Sequence, residues 1–140
     1  VSETPADSGS PRRTSAGFGR VLVVVYGVFA VSASARALVQ ILRDFDEAPF
    51  AYALSAFAAG VYIVATVALA RGTPRSHRVA TIAVLIELVG VLVVGALTLV
   101  DPDLFPRDTV WTGFGRGYGF VPLVLPVVGL WWLWRTRPTT

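Results

Sequence analysis

The chain contains no cysteine, lysine, asparagine or methionine, and only one histidine in 140 residues. Without cysteine, disulfides, thiolate metal sites and thiol nucleophiles are excluded, and nothing marks a redox compartment. Charge is scarce as well. Only 15% of residues are charged, whereas 54% are hydrophobic and the mean hydropathy is +0.66. That balance belongs to an integral membrane protein rather than to a soluble domain. All 12 basic residues are arginine. Together with the dominance of Ala, Val, Leu and Gly, this reads as translation from GC-rich codons, with Val1 expected to be a GTG start or else the product of processing. The sequence pI near 10.0 could suggest nucleic acid. The arginines, however, cluster at the ends of apolar runs, where membrane orientation explains them, so no nucleic-acid partner is expected.

Residues 1–17, VSETPADSGSPRRTSAG, are too polar to bury the surface that would offset ordering, and are expected to form a disordered cytoplasmic tail. Arg12 and Arg13 before Thr14 and Ser15 resemble a basophilic kinase site, but an orienting arginine pair accounts for them more simply. Four apolar stretches then follow, at about 18–42, 50–70, 79–100 and 117–134. A helix needs roughly 20 residues to cross about 30 Å of hydrocarbon, and each stretch is close to that length. The expected fold is all-α: a polytopic four-helix transmembrane domain over 18–134, with a short cytoplasmic tail at 135–140. The first stretch also has the outline of a signal peptide, with Ala33-Ser34-Ala35 as a cleavage site. Because ALVQIL continues the helical pattern beyond that point, it is expected to be retained as a helix.

Orientation follows from the arginines. Eight (12, 13, 20, 71, 75, 78, 135 and 137) fall on one side, against Arg43, Arg107 and Arg116 on the other, which puts both termini in the cytoplasm. Trp131, Trp132 and Trp134 are expected at the inner aromatic belt, with Trp111 and Phe105 near the outer one. His77, alone among arginines, reads as a headgroup-facing loop residue rather than a metal ligand. Pro122 and Pro126 are expected to kink the last helix.

The costliest residue is Glu87, near the middle of ATIAVLIELVGVLVVGALTLV. An acid there costs on the order of 3 kcal/mol on insertion scales, which the surrounding Leu, Ile and Val outweigh at roughly 0.3–0.6 each. Counting helical rise from the inner boundary places Glu87 at roughly 13 Å, Tyr62 at roughly 12 Å and Arg36 at roughly 24 Å. Three polar stripes emerge at helical spacing: Ser32, Arg36 and Gln40 on the first span; Tyr52, Ser55, Ala59, Tyr62 and Thr66 on the second; Ala80, Ala83, Glu87, Gly90, Val94 and Thr98 on the third. They are expected to face one another, with Glu87, Arg36, Tyr62, Gln40 and Ser55 as the candidate intramembrane polar site. Glu87 then reads as a packing carboxyl hydrogen-bonded to Tyr62, or as an embedded acid that exchanges a proton. Arg36 is expected to snorkel outward toward Asp44, Asp46 and Glu47 rather than to pair with Glu87. GFGRGYG at 113–119 lacks the strand and spacing of a dinucleotide or phosphate loop. It reads as a close-packed entry to the last helix, with a re-entrant loop as the weaker alternative.

Four helices around one embedded acid resemble small multidrug transporters, but their acid lies in the first helix and none of their motifs occurs here. RDFDEAPFAYALSAFAAGVYIVATVAL, IELVGVLVVG and VWTGFGRGYGFVPLVLPVVGLWWL are similar to small four-helix integral membrane proteins of actinobacteria without an assigned activity. That resemblance implies location and architecture, and supplies no catalytic residues. The reading is a non-enzymatic inner-membrane protein without cofactor or metal, acting as an accessory or assembly component. Its partners are the lipid bilayer and another membrane protein or a second copy. The alternative is a small proton-coupled transporter using Glu87. An enzyme acting on lipid comes third, for want of a nucleophile and base pair.

Overall fold

The computed structural model describes residues 11–44, 46, 48–104, 109 and 111–136. Within them the chain is helical throughout: α1 (Pro11–Asp44), α2 (Pro49–Arg71), α3 (Pro74–Val100), two 3₁₀ segments (Pro102–Leu104 and Thr112–Tyr118), and α4 (Val121–Arg135). Three helices, over Gly17–Arg43, Pro49–Arg71 and Pro74–Val100, are long and apolar enough to cross a membrane. The 15 residues of α4 reach only about 22 Å. Together with the 3₁₀ segment before it, from which it bends by 98°, α4 qualifies as a broken span or a re-entrant loop.

Proline marks where helices begin. It stands in the first turn of α2, α3 and α4, where the missing N–H has no partner to lose and the fixed φ already suits a helix. Between α2 and α3 the turn shrinks to two residues. Gly72 closes α2 in the left-handed region (φ 71°), and Thr73 caps α3 through a reciprocal box with Ser76. The eight-residue basic loop expected at 71–78 is therefore mostly helix, and α3 starts five residues before the expected boundary at 79. The first helix is likewise longer than the expected 18–42, extending back to Pro11. The rest of the expected tail, residues 1–10, lies outside the described residues.

The residue pattern is inverted relative to a soluble bundle. Val21, Val24, Val28, Val31 and Leu42 of α1 point outward, whereas Ala30, Ala33 and Ala37 are buried. On α2 the buried face carries Ala51, Ala58, Ala65 and Ala68, and on α3 Ala80 and Ala83. Lipid is as apolar as leucine, so large aliphatics gain nothing by leaving it, and close approach between helices falls to small residues. α1 packs on α2, α2 on α3, and α3 on α4 and the second 3₁₀ segment. Rings close the circuit between α1 and α4: Phe18 meets Trp131 edge-on at 6.1 Å, and Gly19 lies under Trp132.

This packing corrects one expectation directly. On α1 the inward face is Leu22, Tyr26, Phe29, Ala33 and Ala37, not Ser32, Arg36 and Gln40; Ser32 is exposed, and the other two are half-buried at the edge. The stripes of α2 and α3 do face inward, as Tyr52, Ser55, Ala59 and Tyr62 are buried, along with Ala80, Ala83, Glu87, Val94 and Thr98. Of the two prolines expected to kink α4, Pro122 falls in its first turn and Pro126 lies inside it, and the 98° bend precedes the helix, at Gly119 and Phe120, both left-handed (φ 65° and 62°).

Candidate functional site

At the centre of the bundle, Glu87 has no exposed surface. The Tyr26 hydroxyl donates to its Oε1 at 2.7 Å, and among the described residues Oε2 has no hydrogen-bond partner. Tyr62, also fully buried, adjoins the carboxyl: its hydroxyl oxygen accepts from Trp111 Nε1 at 3.1 Å, which leaves its O–H to face Glu87. The expected Glu87–Tyr62 pair is thus part of a cluster of four residues from three helices and a loop, in which Tyr26 makes the 2.7 Å bond to the carboxyl and Tyr62 stands beside it.

Rings surround these polar atoms. Tyr26 lies 6.1 Å and Trp111 6.4 Å from the Tyr62 ring, and Phe29 stacks on Tyr62 at 5.6 Å with a 27° interplanar angle. Such offset and tilted contacts each add on the order of 1 kcal/mol beyond area burial. They also exclude water from the carboxyl.

Trp111 does not sit at the outer belt. It is 1% exposed, and its ring fills a notch at Gly90, where an added Cβ would come within 2.5 Å of it. The next ring does the same one turn further along α3, with Phe114 lying over Gly95. The small-residue face of α3, read as a helix-packing surface, thus receives two aromatic side chains from the segment between α3 and α4. Phe105, the other outer-belt candidate, lies outside the described residues.

The local backbone explains how the segment folds inward. Thr112 Oγ1 accepts from the Thr109 N–H at 2.8 Å, and the Gly113 N–H reaches back to Thr98 Oγ1 on α3 at 3.2 Å. Gly113, Phe114 and Gly115 are then left-handed in succession (φ 61°, 63° and 83°). Phe114 has no glycine freedom, so its conformation costs roughly 1–3 kcal/mol, which the seating of its ring at Gly95 offsets. The expected close-packed entry at 113–119 is seen in Gly113 and Gly115, both buried, with Gly115 against Pro122.

The remaining candidates lie apart from the carboxyl. Among the described residues Arg36 pairs neither with Glu87 nor with Asp46: its Nη1 donates to the Tyr118 hydroxyl at 3.1 Å, with the guanidinium 5.8 Å from the Tyr118 ring centre, while the side chains of Asp44 and Glu47 lie outside the described residues. Tyr118 supplies both an acceptor and a π face close at hand, which is a shorter route than snorkelling. Through Phe29, 5.6 Å from Tyr118, this contact adjoins the central rings. Ser55 Oγ and Gln40 Oε1 are buried with no partner among the described residues, and neither is joined to Glu87.

His77 also departs from expectation. It belongs to the first turn of α3, and its Nε2–H donates to the Leu133 carbonyl of α4 at 2.8 Å. That carbonyl falls in the last turn of its helix, where intrahelical donors run out. Of the inner-belt tryptophans, Trp131 and Trp134 are exposed, whereas Trp132 is half-buried against Gly19.

Sequence reasoning missed Tyr26 and Trp111. Tyr26 was within reach of the same depth arithmetic, since six residues beyond Arg20 is about 9 Å and a tyrosine side chain covers the rest. Trp111 gave no signal, because its position depends on a loop. Comparison with family models, with curated proteins and with solved structures yields no match to this chain. Among the described residues no group of three or more His, Asp or Glu could hold a metal ion. As it stands, the site can lock helices together through a buried carboxyl, and it offers no surface from which a substrate could reach that carboxyl.

Proposed function

We propose that the protein is a non-enzymatic, four-span component of the cell membrane, with both termini cytoplasmic, that acts as an accessory or assembly partner of another membrane protein or of a second copy of itself. One observation carries this reading: Glu87 has no exposed surface, takes a hydrogen bond from Tyr26 and adjoins Tyr62, which Trp111 in turn holds, so the costliest group in the bundle is a fastening between α1, α2, α3 and the segment before α4. Kinship with small four-helix actinobacterial membrane proteins is part of the proposal.

The orientation rests on the arginines. Arg20, Arg71, Arg75, Arg78 and Arg135 lie toward one end of the helices, and Arg43 and Arg116 toward the other. Because the chain has no cysteine, single introduced thiols report topology without background. A membrane-impermeant maleimide applied to whole cells should label Asp103→Cys and leave Ser8→Cys unlabelled until the membrane is opened. The reverse pattern would invert the topology. Purification in mild detergent should bring down a stoichiometric membrane partner or a homo-oligomer; a lone monomer would count against the assembly role.

The second reading, a proton-coupled transporter using Glu87, is favoured by the unpartnered Oε2. It requires the aromatic enclosure to open.

A further inference from the structure

Between α2 and α3, at the end where Gly72 and Thr73 join them, lies a cleft of about 330 Å³. Its walls are of two kinds. Ile63, Val64, Val67 and Val79 form an exposed apolar trough, and Arg71 and Arg75 stand at its mouth. From Ile63 to Arg71 the trough runs about 12 Å along α2. The Thr73 and Ser76 side chains at the mouth already satisfy each other's backbone groups in the capping box, so the arginines are the polar groups with capacity to spare. Both are exposed, and among the described residues neither guanidinium has a hydrogen-bond or ion-pair partner. No acid lines the cleft, and the RGTPRSHR segment contains none.

We propose that this cleft is a binding site for one anionic phospholipid, with the headgroup phosphate between Arg71 and Arg75 and an acyl chain along Ile63, Val64 and Val67. An occupant must be negative at one end and apolar over about 12 Å, and must approach from within the bilayer, because the trough lies on the outward face of two spanning helices. A soluble anion fits only the mouth, and an apolar helix fits only the trough. Arginine suits the phosphate because its planar fork meets two oxygens at once, and basic pockets between spanning helices are where anionic headgroups lodge. The inference depends on the protein's being embedded in the bilayer, and not on its orientation or its assembly role.

The test is native mass spectrometry of the protein released from nanodiscs containing equal phosphatidylglycerol and phosphatidylcholine. The wild type should retain one phosphatidylglycerol in preference to phosphatidylcholine. Arg71→Gln with Arg75→Gln should cut that preference roughly tenfold or more, the effect of losing the charge-assisted bonds to the headgroup phosphate. Arg20→Gln with Arg78→Gln removes the same charge away from the cleft and should leave the preference intact. Val67→Trp, which fills the trough but keeps both arginines, should abolish retention and stand as the decisive variant if the double arginine variant does not fold. Equal losses in the two charge-matched variants, or retention undiminished in Val67→Trp, would overturn the proposal in favour of diffuse attraction to anionic lipid. Thiol labelling that still gives the proposed topology in that event would leave the functional reading standing without the lipid site.

Discussion

The Trp111 ring occupies the space that a side chain at Gly90 would need: a Cβ there would lie 2.5 Å from Cζ3 and 2.7 Å from Cη2. This contact is what draws the segment after α3 into the bundle and sets the indole N–H on Tyr62.

Gly90→Ala should therefore displace Trp111 at a cost of about 1–3 kcal/mol, the usual range for overpacking. Thermal unfolding in detergent measures the loss. Tryptophan emission should shift to the red as the indole leaves its dry site. Gly60→Ala, on a face of α2 where an added Cβ meets nothing within 4 Å, should leave both quantities unchanged.

Tyr26→Phe removes the 2.7 Å hydrogen bond to Glu87 Oε1 and leaves that oxygen buried without its donor. The expected destabilisation is about 1–3 kcal/mol. Tyr62→Phe removes the acceptor for Trp111 Nε1 and the weaker of the two hydroxyls on the carboxyl but leaves the 2.7 Å bond from Tyr26 in place, and should cost less, at roughly 0.6 kcal/mol for each interhelical hydrogen bond lost in a membrane. Unfolding midpoints of the two variants rank the bonds; the opposite order would mean that Tyr62 is the principal partner of the carboxyl.

How far the site could be read from sequence depended on which contacts are periodic. The inward faces of α2 and α3 were legible, because Ser55, Tyr62, Ala83, Glu87 and Thr98 recur at helical spacing and are polar or small where lipid would favour Val and Leu. On α1 the same rule pointed the wrong way. Ser32, Arg36 and Gln40 form a spaced polar set, yet the buried face belongs to Tyr26, Phe29 and the alanines, whose burial follows from fit against α2 rather than from polarity. Trp111 could not be placed at all, since its depth is set by three successive left-handed residues and by notches at Gly90 and Gly95 far away in sequence.

Arg36 and Tyr118 fasten α1 to the end of the 3₁₀ segment before α4. A double-mutant cycle with Arg36→Gln and Tyr118→Phe should give a coupling energy of about 1–2 kcal/mol, since the bond is charge-assisted and partly buried. An uncoupled pair would mean that the segment is held by Trp111 and Phe114 alone.

The central claim is that the enclosed Glu87 fastens the bundle and conducts nothing. Proton flux into liposomes reconstituted with wild-type protein, Glu87→Gln or Glu87→Ala, read alongside the unfolding midpoint of each, tests it most directly. The account predicts the same background flux for all three, a small stability change for the near-isosteric Gln variant, which keeps an acceptor for Tyr26, and a loss of about 2–5 kcal/mol for Ala, which leaves a cavity and an unpaired hydroxyl. A wild-type flux that depends on pH and vanishes in a stably folded Glu87→Gln protein would contradict it.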